Sequence, residues 1–209
     1  MKLNQTLCMV SLLFIGVIQL CAQQTTNSSS QNFDDLSKAA KSGDVNAMFA
    51  FAITNNARGE YKTAADWFHK AAENGNAAAQ VRFGIICFKG QGVKQSYAEA
   101  AQWFQKAADQ TNSAGQFFLG MCYQTGHGVN QDDAMVEKWM RKSAEQGYVE
   151  AEYVLGEMYS LGKQVPQNFP EAVKWHSHAA AQGHVVSQYY LGQDYEFGRG
   201  VGVNYPQAV

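Results

Sequence analysis

Four tryptophans recur at a fixed interval of 36 residues, and this period constrains the fold more than any other feature of the chain. The series consists of Trp67, Trp103, Trp139 and Trp175. Two glycine series keep the same step, namely Gly84, Gly120, Gly156 and Gly192, and Gly90, Gly126, Gly162 and Gly198. A period between about 20 and 50 residues is typical of stacked repeats, whose single units are too small to bury their apolar side alone. The chain is therefore predicted to be a repeat protein.

The apolar spacing within one unit predicts a pair of helices. In the second half of the unit the apolar residues step by three and four, at Ala100, Trp103, Phe104 and Ala107. In the first half they step by four, at Ala79, Phe83 and Cys87. Both spacings place apolar side chains on one face of a helix with 3.6 residues per turn.

The predicted fold class is all-α, a right-handed α-solenoid of stacked antiparallel helix pairs. The predicted units cover residues 44–75, 76–111, 112–147, 148–183 and 184–209, and the first is four residues shorter than the others. A half repeat over Phe33–Ser42 is expected to cap the first unit with Phe33 and Leu36. The last unit stops before its next tryptophan, which predicts a fragment or an early-terminated chain.

The recurring glycines carry two expectations. Gly84 and its equivalents lie inside the first helix, where glycine costs about 1 kcal/mol relative to alanine. Their recurrence predicts that a neighbouring helix fills the missing volume, and the tryptophan of the next helix is the expected occupant. Gly90 and its equivalents follow the first helix, where a left-handed cap favours glycine.

The N-terminus is typical of a secretory signal peptide. Lys2 precedes an apolar run over Leu7–Leu20, and the small residue Ala22 follows. The run has 14 residues, which is short of the roughly 20 that span a bilayer. Residues 1–22 are predicted to be the signal and 23–32 a flexible polar linker, which indicates a secreted, periplasmic or cell-envelope protein. An uncleaved anchor and a lipid-modified Cys21 stay as alternatives.

Two cysteines remain after the signal, Cys87 and Cys122, on the first helices of adjacent repeats. They could pair in an oxidising compartment. However, neighbouring helix axes lie about 8–10 Å apart, and the two positions are out of register. Two buried thiols are therefore favoured.

The sequence supports no catalytic, cofactor-binding or metal-binding site. A formal charge of −2 offers no basic surface for nucleic acid, and the motifs of serine hydrolases, zinc proteases and phosphate-binding loops are missing. His176 and His178 point to different sides of a helix, so they cannot hold one metal together. His176 stands in a column of packing residues and is expected to be buried, whereas His178 stands in a column of lysines.

The best candidate for a functional site is the surface of the first helices, which is expected to line the inner curve of the array. Residues opposite the packed face are predicted to project there and bind a protein or peptide, because aromatic side chains supply contact area at low entropic cost. The predicted partner-binding residues are Val81, Ile85, Phe88, Phe117, Met121, Gln124, Tyr153, Glu157, Ser160, Tyr189, Gln193 and Glu196. Gap filling between neighbouring first helices is the alternative role for some of them.

The repeated pattern resembles the Sel1-like repeat, a relative of the tetratricopeptide repeat. One unit meets it with Leu119, Gly120, Tyr123, Gly126, Gly128, Val129, Trp139, Ala144 and Gly147. The resemblance covers residues 33–209 and implies an adaptor that assembles other proteins without doing chemistry. A group of secreted, cysteine-rich relatives implies an alternative function, the binding or hydrolysis of cell-wall peptides or β-lactams. That group has a cysteine pair in nearly every repeat, and this chain does not.

Overall fold

The computed structural model describes residues 32–204 and 206, and within them the chain is all-helical with no strand. Helix α1 covers residues 32–41. The following helices are α2 (Val45–Ala57), α3 (Tyr61–Glu73), α4 (Ala77–Lys89), α5 (Tyr97–Asp109), α6 (Ser113–Thr125), α7 (Asp133–Ala144), α8 (Val149–Leu161), α9 (Phe169–Ala181) and α10 (Val185–Phe197). These bounds confirm the predicted pair of helices in each of the four full units. The predicted signal, and the predicted linker except for residue 32, lie outside the described residues.

The helices form one row of pairs. Each helix from α2 to α10 packs against the next one along the chain, and contacts between first helices join α4 to α6 and α8 to α10. This arrangement confirms the solenoid of stacked helix pairs. The half repeat behaves as predicted, because Phe33 and Leu36 pack on the first core cluster and the Phe33 ring lies 5.0 Å from that of Phe51.

Side chains and glycines define where the helices begin and end. Asn76 accepts a hydrogen bond from the backbone N–H of Ala79, and Asn112 caps α6 in the same way. Gly90 ends α4 with a φ of 70°, in the left-handed region, which confirms the predicted cap. Thr111 stands in the column of glycines that closes each repeat and also has a positive φ, of 59°. This backbone is strained, because a β-branched residue rarely adopts it.

The tryptophans do not fill the space above the helical glycines, so that prediction is wrong. A Cβ atom added to Gly84 would lie 2.6 Å from the ring of Phe104, and one added to Gly156 would lie 2.2 Å from the ring of His176. The space is therefore filled by the residue that follows each tryptophan. Trp103 packs instead against the edges of Phe83 and His69, with ring centroids 5.6 Å apart in both cases.

A ladder of polar side chains, mostly glutamines, joins the two helices in three successive repeats. The side-chain amide of Gln110 donates to Gln80 Oε1 at 2.8 Å, and that of Gln146 donates to Gln116 Oε1 at 2.7 Å. In the next repeat the acceptor is Glu152, whose Oε2 lies 2.8 Å from the Gln182 amide. Because these side chains are buried on the first helices, each one needs its partner to offset the loss of water.

Candidate binding face of the first helices

The first helices α4, α6, α8 and α10 present the predicted binding residues in one row, which we call the first-helix face. Tyr189 and Glu196 are exposed. The half-buried members are Ile85, Phe88, Phe117, Met121, Gln124, Tyr153, Glu157, Ser160 and Gln193. Val81 is an error of the prediction, since it is only 6% exposed and offers almost no surface. It belongs to the buried packing that the sequence left as the alternative role.

An apolar pocket lies between α4 and α6 on this face, and it brings four of the predicted residues together. Ile85 and Phe88 contribute from α4, and Phe117 and Met121 contribute from α6. The buried ring of Phe104, from α5, forms the floor. The pocket has a volume of about 290 Å³. It is therefore a concave apolar surface of the kind that receives a side chain or a small ligand.

Aromatic contacts hold the two walls of this pocket. The Phe117 ring lies 5.4 Å from that of Phe118, which stacks on Phe104 at 5.1 Å. On the opposite side the Phe88 ring lies 5.4 Å from that of His127. Because such pairs add to the apolar burial of each ring, the pocket is preformed by the packing of two adjacent repeats.

A second, polar pocket follows between α6 and α8. Gln124 lies on one side, Glu157 on the other, and Lys163 comes from the loop after α8. Its volume is about 180 Å³. The first-helix face therefore changes from apolar to polar within one repeat.

The face beyond α8 is aromatic and polar. The Tyr153 ring lies 4.7 Å from that of His184, which caps α10 by accepting a hydrogen bond from the Ser187 N–H. Burial, followed by the neighbouring Glu157 carboxylate, raises the pKa of Tyr153 above its usual value. Tyr153 is therefore a neutral hydroxyl at physiological pH. On α10 the Gln193 amide donates to the Tyr189 hydroxyl at 2.8 Å.

Cys87 and Cys122 are both buried and free, as the sequence favoured. Burial, together with the nearby Glu99 carboxylate, raises the pKa of Cys87 to about 12. Burial alone raises the pKa of Cys122 to about 11. Since the thiolate is the nucleophile, both groups are poor nucleophiles at neutral pH, although Cys122 lines the apolar pocket.

The two histidines of α9 lie in different environments, as predicted. His176 is 1% exposed, and its Nδ1 lies 3.7 Å from Asp194 Oδ2. Asp194 is also held by Arg199, whose Nε lies 3.3 Å from Oδ1. His178 is exposed, and its ring lies edge-on to that of Trp175. In the described part of the chain no three His, Cys, Asp or Glu side chains are grouped closely enough to hold a metal ion.

The His176–Asp194 contact replaces an apolar one. One repeat earlier the same positions hold Met140 and Met158, both buried in the second core cluster. His176 keeps both ring nitrogens without a hydrogen-bond partner in the described residues. The last helix is therefore attached through a polar contact where the preceding repeat uses methionines.

The sequence missed three residues that border the apolar pocket. Lys89 ends α4, Thr125 ends α6, and His127 stands in the loop that follows. The sequence did contain a signal for His127, because its column holds a long polar side chain in four units, with Gln91, His127, Lys163 and Arg199. Such a column indicates a loop position that leans over the neighbouring first helix.

A single row of stacked helix pairs, with one face built from the first helix of every pair, defines an α-solenoid repeat protein. The family model of the Sel1 repeat matches residues 58–76, 77–112, 113–148, 149–184 and 185–209. The chain therefore belongs to the Sel1 repeat family. Sel1 repeats are generally non-catalytic scaffolds suited to protein–protein interaction. No helix within the described ranges has both the length and the apolar character needed to cross a membrane.

Solved structures of repeat proteins are similar to this chain. A protective antigen present in uropathogenic Escherichia coli strains is 36% identical with a TM-score of 0.79, over 84% of this chain and 38% of the other. A Sel1 repeat protein from Oxalobacter formigenes is 30% identical, with a TM-score of 0.79, and the match covers 86% of this chain and 53% of the other. A Klebsiella pneumoniae protein shares the fold. It is 22% identical, with a TM-score of 0.58, and the match covers 84% of this chain and 88% of the other. The match to this chain thus covers 38% of the length of the Escherichia coli protein and 53% of the length of the Oxalobacter formigenes protein. No curated protein sequence matches it.

Proposed function

We propose that the protein is a scaffold of the cell envelope or secreted space that binds a protein or peptide partner on the concave face formed by its first helices. The observation that supports this most is the preformed apolar pocket between α4 and α6, with a polar pocket one repeat further along. A scaffold needs such an accessible apolar patch with a polar surround, because hot-spot side chains bind in desolvated pockets.

Two arguments support the location. The N-terminus has the layout of a signal peptide over residues 1–22. The similar Escherichia coli protein is a protective antigen, and an antigen that protects must be reachable from outside the cell. N-terminal sequencing of the protein from its host tests this. A mature chain that begins just after Ala22 or Gln23 is expected, and a chain that retains Met1 would contradict an exported, processed protein.

Site-specific photo-crosslinking tests the binding face. A photoreactive amino acid replaces Gln124, on the first-helix face, or Gln102, an exposed residue of the second helix α5. We expect a partner adduct from position 124 and none from position 102 when the protein is expressed in its host. Equal adducts at both positions, or adducts at position 102 alone, would refute the proposed face.

A further inference from the structure

The apolar pocket is large enough to hold one bulky side chain of a partner. An apolar cavity of about 150 Å³ is enough to bind benzene, and this pocket measures about 290 Å³. A tryptophan, or a phenylalanine with a neighbouring apolar group, therefore fits its volume. Because Phe104 at the floor is only 2% exposed and is stacked on Phe118, the pocket receives a side chain without rearranging.

The lining of the pocket contains one charged side chain, and it is basic. Lys89 lies at the border, and no carboxylate is part of the lining. Arg82 lies two turns earlier on α4 and near Tyr148, whose ring lies 5.2 Å from that of Phe117. Burial and then Glu150 raise the pKa of Tyr148, and Arg82 opposes them. Neither Lys89 nor Arg82 has an ion-pair partner among the described residues. An acidic group of a partner would find its counter-charge here.

A polar atom at the border also lacks a partner. Nδ1 of His127 is buried and makes no hydrogen bond within the described residues. Its ring is fixed between Tyr97, at a centroid distance of 4.4 Å, and Phe88. A buried polar atom without a hydrogen bond costs free energy, and this cost falls on a residue that lines the pocket.

The neighbouring junction has a different character, which limits the apolar anchor to one repeat. The positions of Ile85 and Met121 are held by Glu157 in the next unit, and Gln124 and Lys163 complete a polar pocket there. Adjacent helix axes lie about 8–10 Å apart, and an extended peptide advances about 3.3 Å per residue. A polar residue about three positions from the anchor therefore reaches the second pocket.

We infer that the partner is an extended peptide segment whose bulky aromatic or aliphatic side chain enters the α4–α6 pocket, with an acidic residue beside it facing Lys89. This inference rests on the proposed function, since it names the chemistry of the partner for the same face. The complementary charge selects the sequence around the anchor, and the apolar pocket provides the affinity.

The test uses three fluorescein-labelled nonapeptides and fluorescence anisotropy with the purified protein. The probe is Gly-Ser-Gly-Asp-Trp-Asp-Gly-Ser-Gly; in one control lysine replaces both aspartates, and in the other alanine replaces tryptophan. The probe should bind at least about tenfold more tightly than either control. Met121→Trp, which fills the pocket, should abolish binding. Lys89→Glu should reverse the preference between the acidic and basic peptides, whereas Lys62→Glu, the same change on the exposed part of α3, should leave it unchanged.

Four results would overturn the inference. Equal binding of the acidic and basic peptides would remove the charge selection, and unchanged binding in Met121→Trp would remove the anchor. Absence of probe binding up to millimolar concentration would remove both, yet crosslinking at position 124 could still establish the wider binding face. Sedimentation of the same samples detects the remaining occupant. Self-association that Met121→Trp abolishes would identify a second copy of the chain in the pocket, and would also overturn the inference.

Discussion

Adding one methyl group to a helical glycine should have opposite effects in two adjacent repeats. In Gly156→Ala the new Cβ atom would lie 2.2 Å from His176 Cδ2 and 2.4 Å from Nε2, whereas carbon atoms pack at about 3.5–4.0 Å. The ring must therefore move by more than about 1 Å. It has little room, because it is stacked on Tyr190 at a centroid distance of 5.3 Å.

The matched control is Gly120→Ala. Its Cβ atom would lie 3.0 Å from Met140 Cε, and the next contacts are at 3.5 Å. The terminal methyl of a methionine can rotate away at little cost. The same alanine gains about 1 kcal/mol of helix propensity in both positions, so only the clash differs between the two variants.

These effects set the expected magnitudes. Overpacking a rigid site costs about 1–3 kcal/mol, and the upper half of that range applies to the His176 ring. Gly156→Ala should therefore lower the free energy of unfolding by about 1–2 kcal/mol after the gain in propensity. Gly120→Ala should leave it unchanged or raise it by up to about 1 kcal/mol.

Urea denaturation followed by circular dichroism measures both variants, and a shift in midpoint at constant slope reports the change in stability. Truncating the ring in the double variant Gly156→Ala, His176→Ala should recover part of the loss, which appears as a coupling energy in a double-mutant cycle. Equal stability changes in Gly156→Ala and Gly120→Ala, or a cycle without coupling, would refute the packing argument.

Three further changes test single features of the fold by the same measurement. Asp194→Met alone should lower the free energy of unfolding, because Arg199 Nε and His176 Nδ1 both lose the Asp194 carboxylate. Replacing His176 by methionine as well should recover part of that loss, since it restores the pair of apolar side chains found one repeat earlier. Thr111→Gly should stabilise the protein by about 0.5–1 kcal/mol by relieving the positive φ, and Thr111→Ala, which keeps the Cβ atom, should not. Burial raises the pKa of the Glu152 carboxyl and penalises its charge. Glu152→Gln should therefore stabilise the protein by about 1 kcal/mol at pH 7, and Gln116→Glu, which places a carboxyl at the equivalent position one repeat earlier, should destabilise it. This cost is fully present above the raised folded pKa and is lost only below the unfolded value of 4.5. The difference in stability between Glu152→Gln and the parent should therefore shrink as the pH falls and be nearly gone at about pH 3.5. A difference of unchanged size at that pH would contradict the burial argument.

The helix pairs were predictable because the same signal occurs several times in one chain. A single Asn76 or Gly90 would be weak evidence for a helix end, since either residue is common in loops. Recurrence at the same place in successive units removes that ambiguity. The period predicted the stacked array, and the recurring capping residues then indicated where each helix begins and ends.

The occupant of the glycine space was not predictable from the period. Trp103 and Phe104 recur or are matched by apolar side chains in most units, and they point about 100° apart on the same helix. Which of them faces Gly84 depends on the rotation of one helix relative to the other. That rotation is set by the packing of all side chains at the contact and not by the spacing along the chain.

The buried glutamines were missed for a different reason, although their positions do recur. Gln80 and Gln116 lie 36 residues apart, and so do Gln110 and Gln146. Glutamine is usually exposed, so a column of glutamines reads as solvated surface when one helix is considered alone. The hydrogen bonds inside the repeat become predictable only when the two glutamine columns, one on each helix, are considered together.

Differences between repeats, and not their similarities, locate the candidate site. Positions that keep their character in successive units serve the contacts between helices, as the glycine and glutamine columns do. Two of the three columns of the first-helix face lack this constancy, with Ile85, Met121, Glu157 and Gln193 in one, and Phe88, Gln124, Ser160 and Glu196 in the other. A column needed only for stacking would meet the same neighbour in every unit and would favour similar residues. The apolar pocket arises where two apolar members of these variable columns meet across α4 and α6, so a partner that recognises it must bind in one register along the array.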